Sequence, residues 1–299
     1  MTIGEAHPAA GTIRSGSAAK LAPGLYFIAT PIGAARDITL RALDILGAAD
    51  VLAAEDTRTL RHLMEIHGIP LAGRPLVAYH DHNGEAARPR LLAALLDGKS
   101  VVYASEAGTP LIADPGFQLA RAAIAEGLPL IAAPGPSAVL CALGVAGLPT
   151  DRFLFAGFLP NASSARCRSL TDLQAIPATL VFYESPRRLP RSLADMAKVL
   201  GPTRQAAVCR ELTKRFEEIT RGTLEDLTDI FADREIKGEI VVVVDRGGPI
   251  VHDAADLDAA LLTALKQSSL KDAVSDVATR LGLARRDVYQ RALTLGEKE

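Results

Sequence analysis

The chain has 299 residues, of which 48% are hydrophobic and 23% charged, with a formal net charge of −2. This composition excludes a wholly disordered chain, and the longest apolar runs fall far short of the ~20 residues that a membrane-spanning helix needs. A nearly neutral chain does not bind nucleic acid by its overall charge, so such a partner would need a local basic patch. The 3 cysteines are odd in number and widely spaced, which indicates free thiols in a reducing cytoplasm and neither a disulfide framework nor a zinc site.

Residues 1–20 are rich in small residues and carry no apolar signal sequence, and we predict that they form a flexible tail. From Leu21 onward, short buried strands alternate with amphipathic helices. We predict strands at 25–29, 50–54, 75–79, 100–104 and 129–132. We predict helices at 59–67, 86–96 and 117–126, and one more that is capped by Asp37 or Thr39 and stopped by Gly47. This alternation is typical of βαβ units, so residues 21–134 are predicted to form an α/β domain with a mainly parallel sheet.

The second half of the chain has a different spacing of elements, in which strands come in pairs. We predict strands at 153–158, 178–183, 206–210, 217–221 and 239–244. We predict helices at 137–145, 166–174, 187–200 and 224–231. This pattern favours a second α/β domain with a mixed sheet over residues 135–248, followed by a linker at Gly247-Gly248-Pro249.

The segment 252–299 is helical throughout, with predicted helices at 256–267, 270–281 and 285–295. Ser269 with Asp272 forms the pattern of a capping box, and Gly282 fits a helix stop. Two short helices joined by a tight turn are similar to a helix-turn-helix unit. The segment is either an RNA-contacting module, through Arg285, Arg286 and Arg291, or a packing and dimerisation appendage.

Ligands bind open parallel sheets at the carboxyl ends of the strands. All five loops at that edge of the first domain, at 30–33, 55–58, 80–83, 105–116 and 134–138, are rich in glycine, proline or polar residues. They contain neither a GxGxxG fingerprint nor a P-loop, which argues against a Rossmann dinucleotide site and a P-loop NTPase. Small residues with few basic groups favour a ligand that carries an adenine or a ribose and no triphosphate.

The loop histidines His80 and His82 have no third ligand at a typical spacing, so we interpret them as solvated side chains and expect no metal site. Ser105 and Ser137 lack a histidine and an aspartate that would support a catalytic triad.

Several of these loops carry recognisable motifs in a fixed order. They are Thr30-Pro31-Ile32-Gly33, Glu55-Asp56-Thr57-Arg58, Gly108-Thr109-Pro110, Pro134-Gly135-Pro136-Ser137-Ala138, Phe182-Tyr183-Glu184-Ser185-Pro186 and Glu211-Leu212-Thr213-Lys214. Over residues 25–247 the chain resembles the tetrapyrrole methylase superfamily, and most narrowly the ribosomal RNA small subunit methyltransferase I family. The resemblance implies a two-domain α/β homodimer that binds S-adenosylmethionine between its domains. It also implies 2′-O-methylation of cytidine-1402 in the 16S rRNA of the 30S subunit.

The same resemblance implies which residues bind the cofactor. They are Ile32, Gly33, Glu106, Gly108, Thr109, Ile112, Ser137, Ala138, Leu212 and Glu239. For the apolar members, above all Ile112 and Leu212, plain core packing is the alternative. Two positions depart from the family pattern, because Glu106 replaces the usual aspartate and Arg187 replaces the usual histidine. An arginine cannot serve as a base at neutral pH, so a base role at position 187 is not expected.

A ribose hydroxyl must lose its proton as it attacks the methyl group, and Asp56 and Lys214 are the candidate acceptors. We favour Asp56, which follows a buried strand at the ligand-binding edge, although helix capping would also explain it, and surface charge would explain Lys214. Basic residues that could contact RNA cluster in the second half, at Arg166, Arg168, Arg187, Arg188, Arg191, Lys214 and Arg215. Two rival functions are a methyltransferase of the same fold that acts on a tetrapyrrole or a protein side chain, and a non-enzymatic ribosome assembly factor.

Overall fold

The computed structural model describes residues 20–80, 82–113, 115–247, 254–266, 268–281 and 285–296. The chain divides into two compact units, and the first comprises the chain up to Val145 together with Cys209–Ile219 and Gly238–Val241. The sequence analysis assigned these two segments to the second domain, whereas their contacts in the structure group them with the first unit. The predicted tail before Lys20, most of the predicted linker and the predicted helix stop at Gly282 lie outside the described residues.

The first unit is built on a parallel sheet of five strands, which confirms the predicted architecture. The strand order is β3-β2-β4-β1-β5. The strands are β1 Gly24–Ile28, β2 Val51–Ala54, β3 Leu76–Ala78, β4 Ser100–Ala104 and β5 Leu130–Ala133. Ile28 pairs with Ala104 and Ala133, and Ala54 also pairs with Ala104. The carboxyl ends of four strands are therefore level, so the loops that follow them leave the sheet at one edge.

Helices cover both faces of this sheet. They are α1 Leu40–Ala48, α2 Thr57–Ile66, α3 Gly84–Leu96 and α4 Phe117–Ala125, and a fifth helix, α5 Ala138–Ala146, follows β5. Because successive strand residues point to opposite faces, Phe27 packs with α3 and α4, whereas Ile28 packs with α1 and α2. Both layers are apolar, as expected for strands that are buried on both sides.

The first helix begins at the predicted cap and ends later than predicted. The Thr39 hydroxyl accepts a hydrogen bond from the backbone N–H of Ala42 at 3.2 Å. The stop at Gly47 is wrong, because the helix continues to Ala48. Arg74 donates to the carbonyls of Leu46 at 2.6 Å and Ala49 at 3.1 Å. These bonds satisfy carbonyl groups that the end of a helix leaves free, and they offset the ~1 kcal/mol cost of a helical glycine.

The second unit contains a mixed five-stranded sheet of order β6-β7-β10-β8-β9. Its strands are β6 Phe153–Phe158, β7 Thr179–Glu184, β8 Gln205–Arg210, β9 Glu218–Thr223 and β10 Ile240–Val244. Its first helices are α6 Ser163–Gln174, α7 Leu189–Leu200 and α8 Leu224–Phe231. The predicted elements of this half are confirmed within one to three residues at each end.

Three further helices close the chain, namely α9 Ala254–Leu265, α10 Leu270–Leu281 and α11 Arg285–Gly296. They share a small core that includes Leu261, Val274 and Val288. The predicted cap at the start of α10 is present, since the Ser269 hydroxyl accepts from Asp272 N–H at 3.3 Å and donates to the Asp272 carboxylate at 2.6 Å. Across the described residues, no helix has the length and apolar character to cross a membrane.

Candidate functional site

Two loops at the carboxyl edge of the first sheet are joined by backbone hydrogen bonds. Thr30 and Gly108 exchange two of them, at 3.0 and 2.9 Å. The Ser105 hydroxyl donates to the Gly108 carbonyl at 2.8 Å, and the Thr30 hydroxyl donates to the Ser105 carbonyl at 3.2 Å. The loops after β1 and β4 therefore form one fixed platform, in which Ser105 has a structural role.

The loop after β5 is held against the same platform. The Thr109 hydroxyl donates to the Pro136 carbonyl at 2.9 Å. A Cβ on Gly135 would lie 2.9 Å from the Cβ of Ala29, so only glycine allows this approach. Ser137 and Ala138, which start α5, are half-buried beside this contact. The structure thus brings three of the predicted cofactor loops together.

A segment from the second half of the chain returns to this platform. A Cβ on Gly33 would lie 2.5 Å from Cγ of Lys214 and 2.6 Å from the Thr213 hydroxyl. The Thr213 hydroxyl accepts a hydrogen bond from Ala34 N–H at 3.2 Å. Glu211 and Thr213 have positive φ angles of 52° and 64°, which L side chains adopt only at a cost. Such strain concentrates at functional sites, which makes this segment, Glu211–Lys214 with Glu239, a candidate part of one.

Lys214 lies between two carboxylates of the returning segment. Its Nζ is 2.9 Å from Oε1 of Glu211 and 2.9 Å from Oε2 of Glu239. Burial lowers the pKa of Lys214, but hydrogen bonds and charges from Glu239 and Glu211 outweigh it, so the pKa is raised overall. A lysine base would need a lowered pKa, so the structure opposes that role and makes Lys214 a fixed cation. The three charges sum to −1, which suits a cationic ligand.

Asp56 is the N-cap of α2, as the capping interpretation expected. Its carboxylate accepts from the N–H of Arg58 at 2.7 Å and from the Arg58 guanidinium at 2.8 Å. The guanidinium hydrogen bond, followed by the backbone one, lowers the pKa of Asp56 to about 2. The carboxylate is therefore ionised throughout the neutral range, and it lies at the carboxyl end of β2. Capping and proton acceptance are compatible, but so low a pKa makes it a weak base.

The loop after β4 exposes apolar side chains on a strained backbone. Leu111 and Ala113 have φ angles of 71° and 59°. Ile112 is 41% exposed, whereas Leu212 and Ile32 are each 7% exposed. Leu212 and Ile32 are therefore buried as core residues are, whereas Ile112 is open to a ligand. Glu106 is exposed, and its N–H lies 3.4 Å from Oε2 of Glu55, so the loops after β2 and β4 meet.

The structure pairs three of the arginines that were predicted to contact RNA with carboxylates. Arg166 is buried in an ion pair with Asp195 at 2.7 Å, Arg188 pairs with buried Glu184 at 3.2 Å, and Arg291 pairs with Asp258 at 2.6 Å. Burial takes Arg166 out of the predicted set, because its side chain is 4% exposed, whereas the side chains of Arg188 and Arg291 are partly exposed. Their exposed neighbours Arg168, Arg187, Arg191, Arg285 and Arg286 are not affected by this correction.

Sequence reasoning missed two kinds of residue in this candidate site. Glu211 and Thr213 lie inside a motif that the resemblance singled out, but their charge partner and strained backbone are not visible in a sequence. Gly238 has a φ of 96°, and a Cβ there would lie 2.5 Å from Cδ of Glu211. The glycine before Glu239 was the one sequence signal for this close contact.

Gly108→Val is expected to weaken binding of the implied cofactor about 10-fold and to lower the free energy of unfolding by about 2 kcal/mol. Gly108 has a φ of 82°, which a β-branched residue adopts only with strain of order 1–3 kcal/mol, and relief of that strain would shift the bridge to Thr30. Calorimetric titration with S-adenosylmethionine and denaturant unfolding measure the two effects.

Gly98→Val is the matched control for this variant. Gly98 has a φ of 74°, and a Cβ at this position would meet no atom within 4 Å. It precedes β4, at the amino end of the strand. We expect a similar stability loss with unchanged affinity. Equal affinities for wild type and a folded Gly108→Val variant would remove this loop from the site.

Comparison with known proteins places these features in a family. The profile described as Tetrapyrrole (Corrin/Porphyrin) Methylases matches residues 24–228, and the one described as RsmI C-terminal HTH domain matches residues 251–296. The chain is 49% identical to Ribosomal RNA small subunit methyltransferase I of Mesorhizobium japonicum, over 92% of this chain and 93% of that one. The protein of the same name from Escherichia coli O157:H7 is 41% identical, over 90% and 94% of the two chains.

Solved structures share the fold at low sequence identity. Cobalt precorrin-4 methyltransferase, a cobalamin biosynthetic enzyme, has a TM-score of 0.56 at 20% identity, over 74% of this chain and 94% of that one. Uroporphyrin-III C-methyltransferase from Thermus thermophilus, complexed with S-adenosyl homocysteine, has a TM-score of 0.51 at 20% identity, over 74% and 97%. At this identity, the likeness shows the fold alone.

Proposed function

Because this chain belongs to the tetrapyrrole methylase family, and within it to the ribosomal RNA small subunit methyltransferase I relatives, we propose that it methylates the 2′-hydroxyl of cytidine-1402 in 16S rRNA. The protein is an S-adenosylmethionine-dependent methyltransferase. The observation that carries the choice of RNA is the 49% identity over 92% of the chain to a relative of that name. From the same resemblance we propose that it works in the cytoplasm, as a homodimer, on the 30S subunit.

The residues of the platform fit S-adenosylmethionine. Backbone approaches that only glycine permits, at Gly33 and Gly135, shape the loops, and Ile112 exposes an apolar side chain there. The net negative charge of the Glu211–Lys214–Glu239 triad suits the positive charge that the cofactor carries on its sulfonium and ammonium groups. We propose that the cofactor is held by Ile32, Gly33, Glu106, Gly108, Thr109, Ile112, Ser137, Ala138, Leu212 and Glu239. When bound, it supplies an electrophilic methyl group.

The protein's own contribution is mainly positioning. An in-line displacement needs the attacking hydroxyl and the methyl carbon on one line, and fixed loops supply that alignment. We propose that Lys214 keeps the strained returning segment in register, through its ion pairs with Glu211 and Glu239. We propose that Asp56, ionised at neutral pH, accepts the proton of the 2′-hydroxyl.

The exposed surface near the returning segment suits RNA. The Arg215 guanidinium lies 5.5 Å from the ring centre of Phe216, and the Phe216 side chain is 63% exposed. A cation stacked on an exposed ring can contact both a phosphate and a base. In the C-terminal helices, exposed Arg285 and Arg286 favour the RNA-contacting alternative, whereas Arg291 is held by Asp258.

Mapping of 2′-O-methyl groups tests the proposal. We expect the methyl group at cytidine-1402 to be absent from 16S rRNA in cells that lack the gene and to return on complementation. Purified protein with labelled S-adenosylmethionine should modify 30S subunits from those cells at the same nucleotide. Free 16S rRNA serves as the second substrate arm. A methyl group on a base, on a tetrapyrrole or on a protein would overturn the proposal, and so would the absence of any transfer.

A further inference from the structure

The first unit contains a cavity that is separate from the platform of loops after β1, β4 and β5. Its volume is about 320 Å³, and its lining includes His80, Glu85, Arg88, Gly116 and Phe117. These residues come from the loops after β3 and β4 and from the first turns of α3 and α4. None of the residues proposed to hold S-adenosylmethionine lines it.

The loop that carries His80 is held in a fixed shape. The Asn83 side chain accepts from the N–H of His80 at 2.8 Å and donates to the Ala78 carbonyl at 3.0 Å. Asn83 thereby spends its side chain on the loop and makes no capping bond to α3. No side chain therefore caps the first-turn amides of α3, of which Ala86 N–H donates to the Asn83 carbonyl at 3.0 Å.

The start of α4 is equally without a side-chain cap. Its N-cap is Gly116, at a φ of 116°. A Cβ there would lie 3.0 Å from Cδ2 of Leu111 and 3.1 Å from Cε1 of Tyr103, so the packing favours glycine. Two helix N-termini, each with a partial positive charge, therefore border one cavity.

Arg88 is a half-buried cation that lacks a partner in the described part of the chain. Among the described residues, no ion pair or hydrogen bond reaches its guanidinium, and Nε of Arg88 and Nδ1 of His80 are both buried without a hydrogen bond. Glu85, which is exposed, is the one carboxylate among the described lining residues. Hydrogen-bond donors and positive charge therefore outnumber acceptors and negative charge among the described residues of the cavity. A bound anion would satisfy these donors and balance the charge.

We propose that this cavity is a phosphate subsite, which binds a phosphodiester group of the RNA substrate beside the nucleotide that is methylated. The proposal rests on the proposed function for its choice of RNA. Phe117, which is 59% exposed and lies 5.8 Å from the Arg121 guanidinium, offers a stacking surface for the adjoining base at the same helix start. The subsite contributes to capture of the RNA and takes no part in the chemical step.

Salt-dependent binding to 30S subunits tests the subsite. Arg88→Met is expected to weaken binding about 10-fold at low salt and to reduce the slope of log K against log salt by about 0.7–0.9, the loss of one phosphate contact. Under steady-state conditions, KM for the RNA should rise with kcat retained. Glu85→Gln should strengthen binding about twofold, because it removes the opposing charge.

Arg90→Met is the matched control, because Arg90 is an exposed arginine on the same helix and does not line the cavity. It should change affinity less than twofold. Unchanged affinity of Arg88→Met for S-adenosylmethionine would show that the variant is folded. Equal losses in Arg88→Met and Arg90→Met would overturn the proposal in favour of diffuse surface charge.

Inorganic phosphate provides the second arm, which does not depend on RNA. At constant ionic strength, phosphate should raise the Tm of the wild type relative to chloride, and this rise should vanish in Arg88→Met. A phosphate effect without any RNA effect would overturn the RNA assignment and identify a site for free phosphate. If the protein fails to methylate 30S subunits yet shows the phosphate effect, the proposed function fails while the anion site stands.

Discussion

Lys214→Met is expected to lower kcat for methyl transfer about 100-fold while changing the affinity for S-adenosylmethionine less than about 10-fold. The substitution leaves Glu211 and Glu239 without the ammonium that lies 2.9 Å from each, and the strained φ angles of Glu211 and Thr213 lose that support. The extra negative charge alone would favour a cationic ligand, which limits the loss of affinity. Displacement of the segment that carries Glu211 and Thr213 is expected to cause most of the loss in rate. A misplacement of ~1 Å costs about 100-fold in a reaction that depends on alignment.

Single-turnover methylation of 30S subunits and calorimetry separate the two effects. Lys214→Arg should recover part of the rate, since a guanidinium also bridges two carboxylates. Lys99→Met is the matched control, because its ammonium lies 3.8 Å from Asp97 in an exposed pair, and its rate should equal that of the wild type. A wild-type rate for Lys214→Met would show that the triad has no part in catalysis.

The triad also has an expected pH dependence. The pKa of Lys214 is raised in the folded state, so its stabilising contribution is complete at neutral pH and is lost only as pH rises through that raised value. For Glu211, burial raises the pKa, but bonds from Glu239 and Lys214 lower it overall, so its contribution is lost only as pH falls through the acid range. Over pH 6–9, the difference in unfolding free energy between wild type and Lys214→Met should be constant.

Asp56→Asn is expected to lower kcat about 100-fold with unchanged affinity for cofactor and RNA. Asparagine caps a helix as well as aspartate, so α2 should stay intact, whereas the amide cannot accept the hydroxyl proton. Loss of a general base costs about 10²–10⁴ in rate, and a carboxylate with a pKa of about 2 belongs at the low end of that range. Single-turnover methylation of 30S subunits measures the effect.

The pH profile gives this prediction a second readout. Because the pKa of Asp56 is about 2, its charge is constant between pH 5 and 9, and no inflection of the rate in that range should come from it. Asp97→Asn, which removes an exposed carboxylate at the end of α3, is the matched control and should leave the rate unchanged. If Asp56→Asn reacts at the wild-type rate, Asp56 is not the proton acceptor. If instead the wild type loses activity through an acidic limb at pH 6–7, a different group accepts the proton.

The sequence by itself determined the parallel sheet, the order of the elements and the edge at which the loops gather. Those features follow from local patterns, since the period of apolar residues reports burial and the turn residues report where strands end.

Only the tertiary structure decided the charges of the site. Lys214 contacts Glu239 and its segment packs on Gly33, contacts that join distant parts of the chain and that no periodicity encodes. The same holds for Arg166, whose partner Asp195 makes a predicted RNA contact an internal ion pair. A charged residue looks the same in a sequence whether it is solvated or paired, because its pKa and its availability depend on burial and on the groups that the fold brings near it.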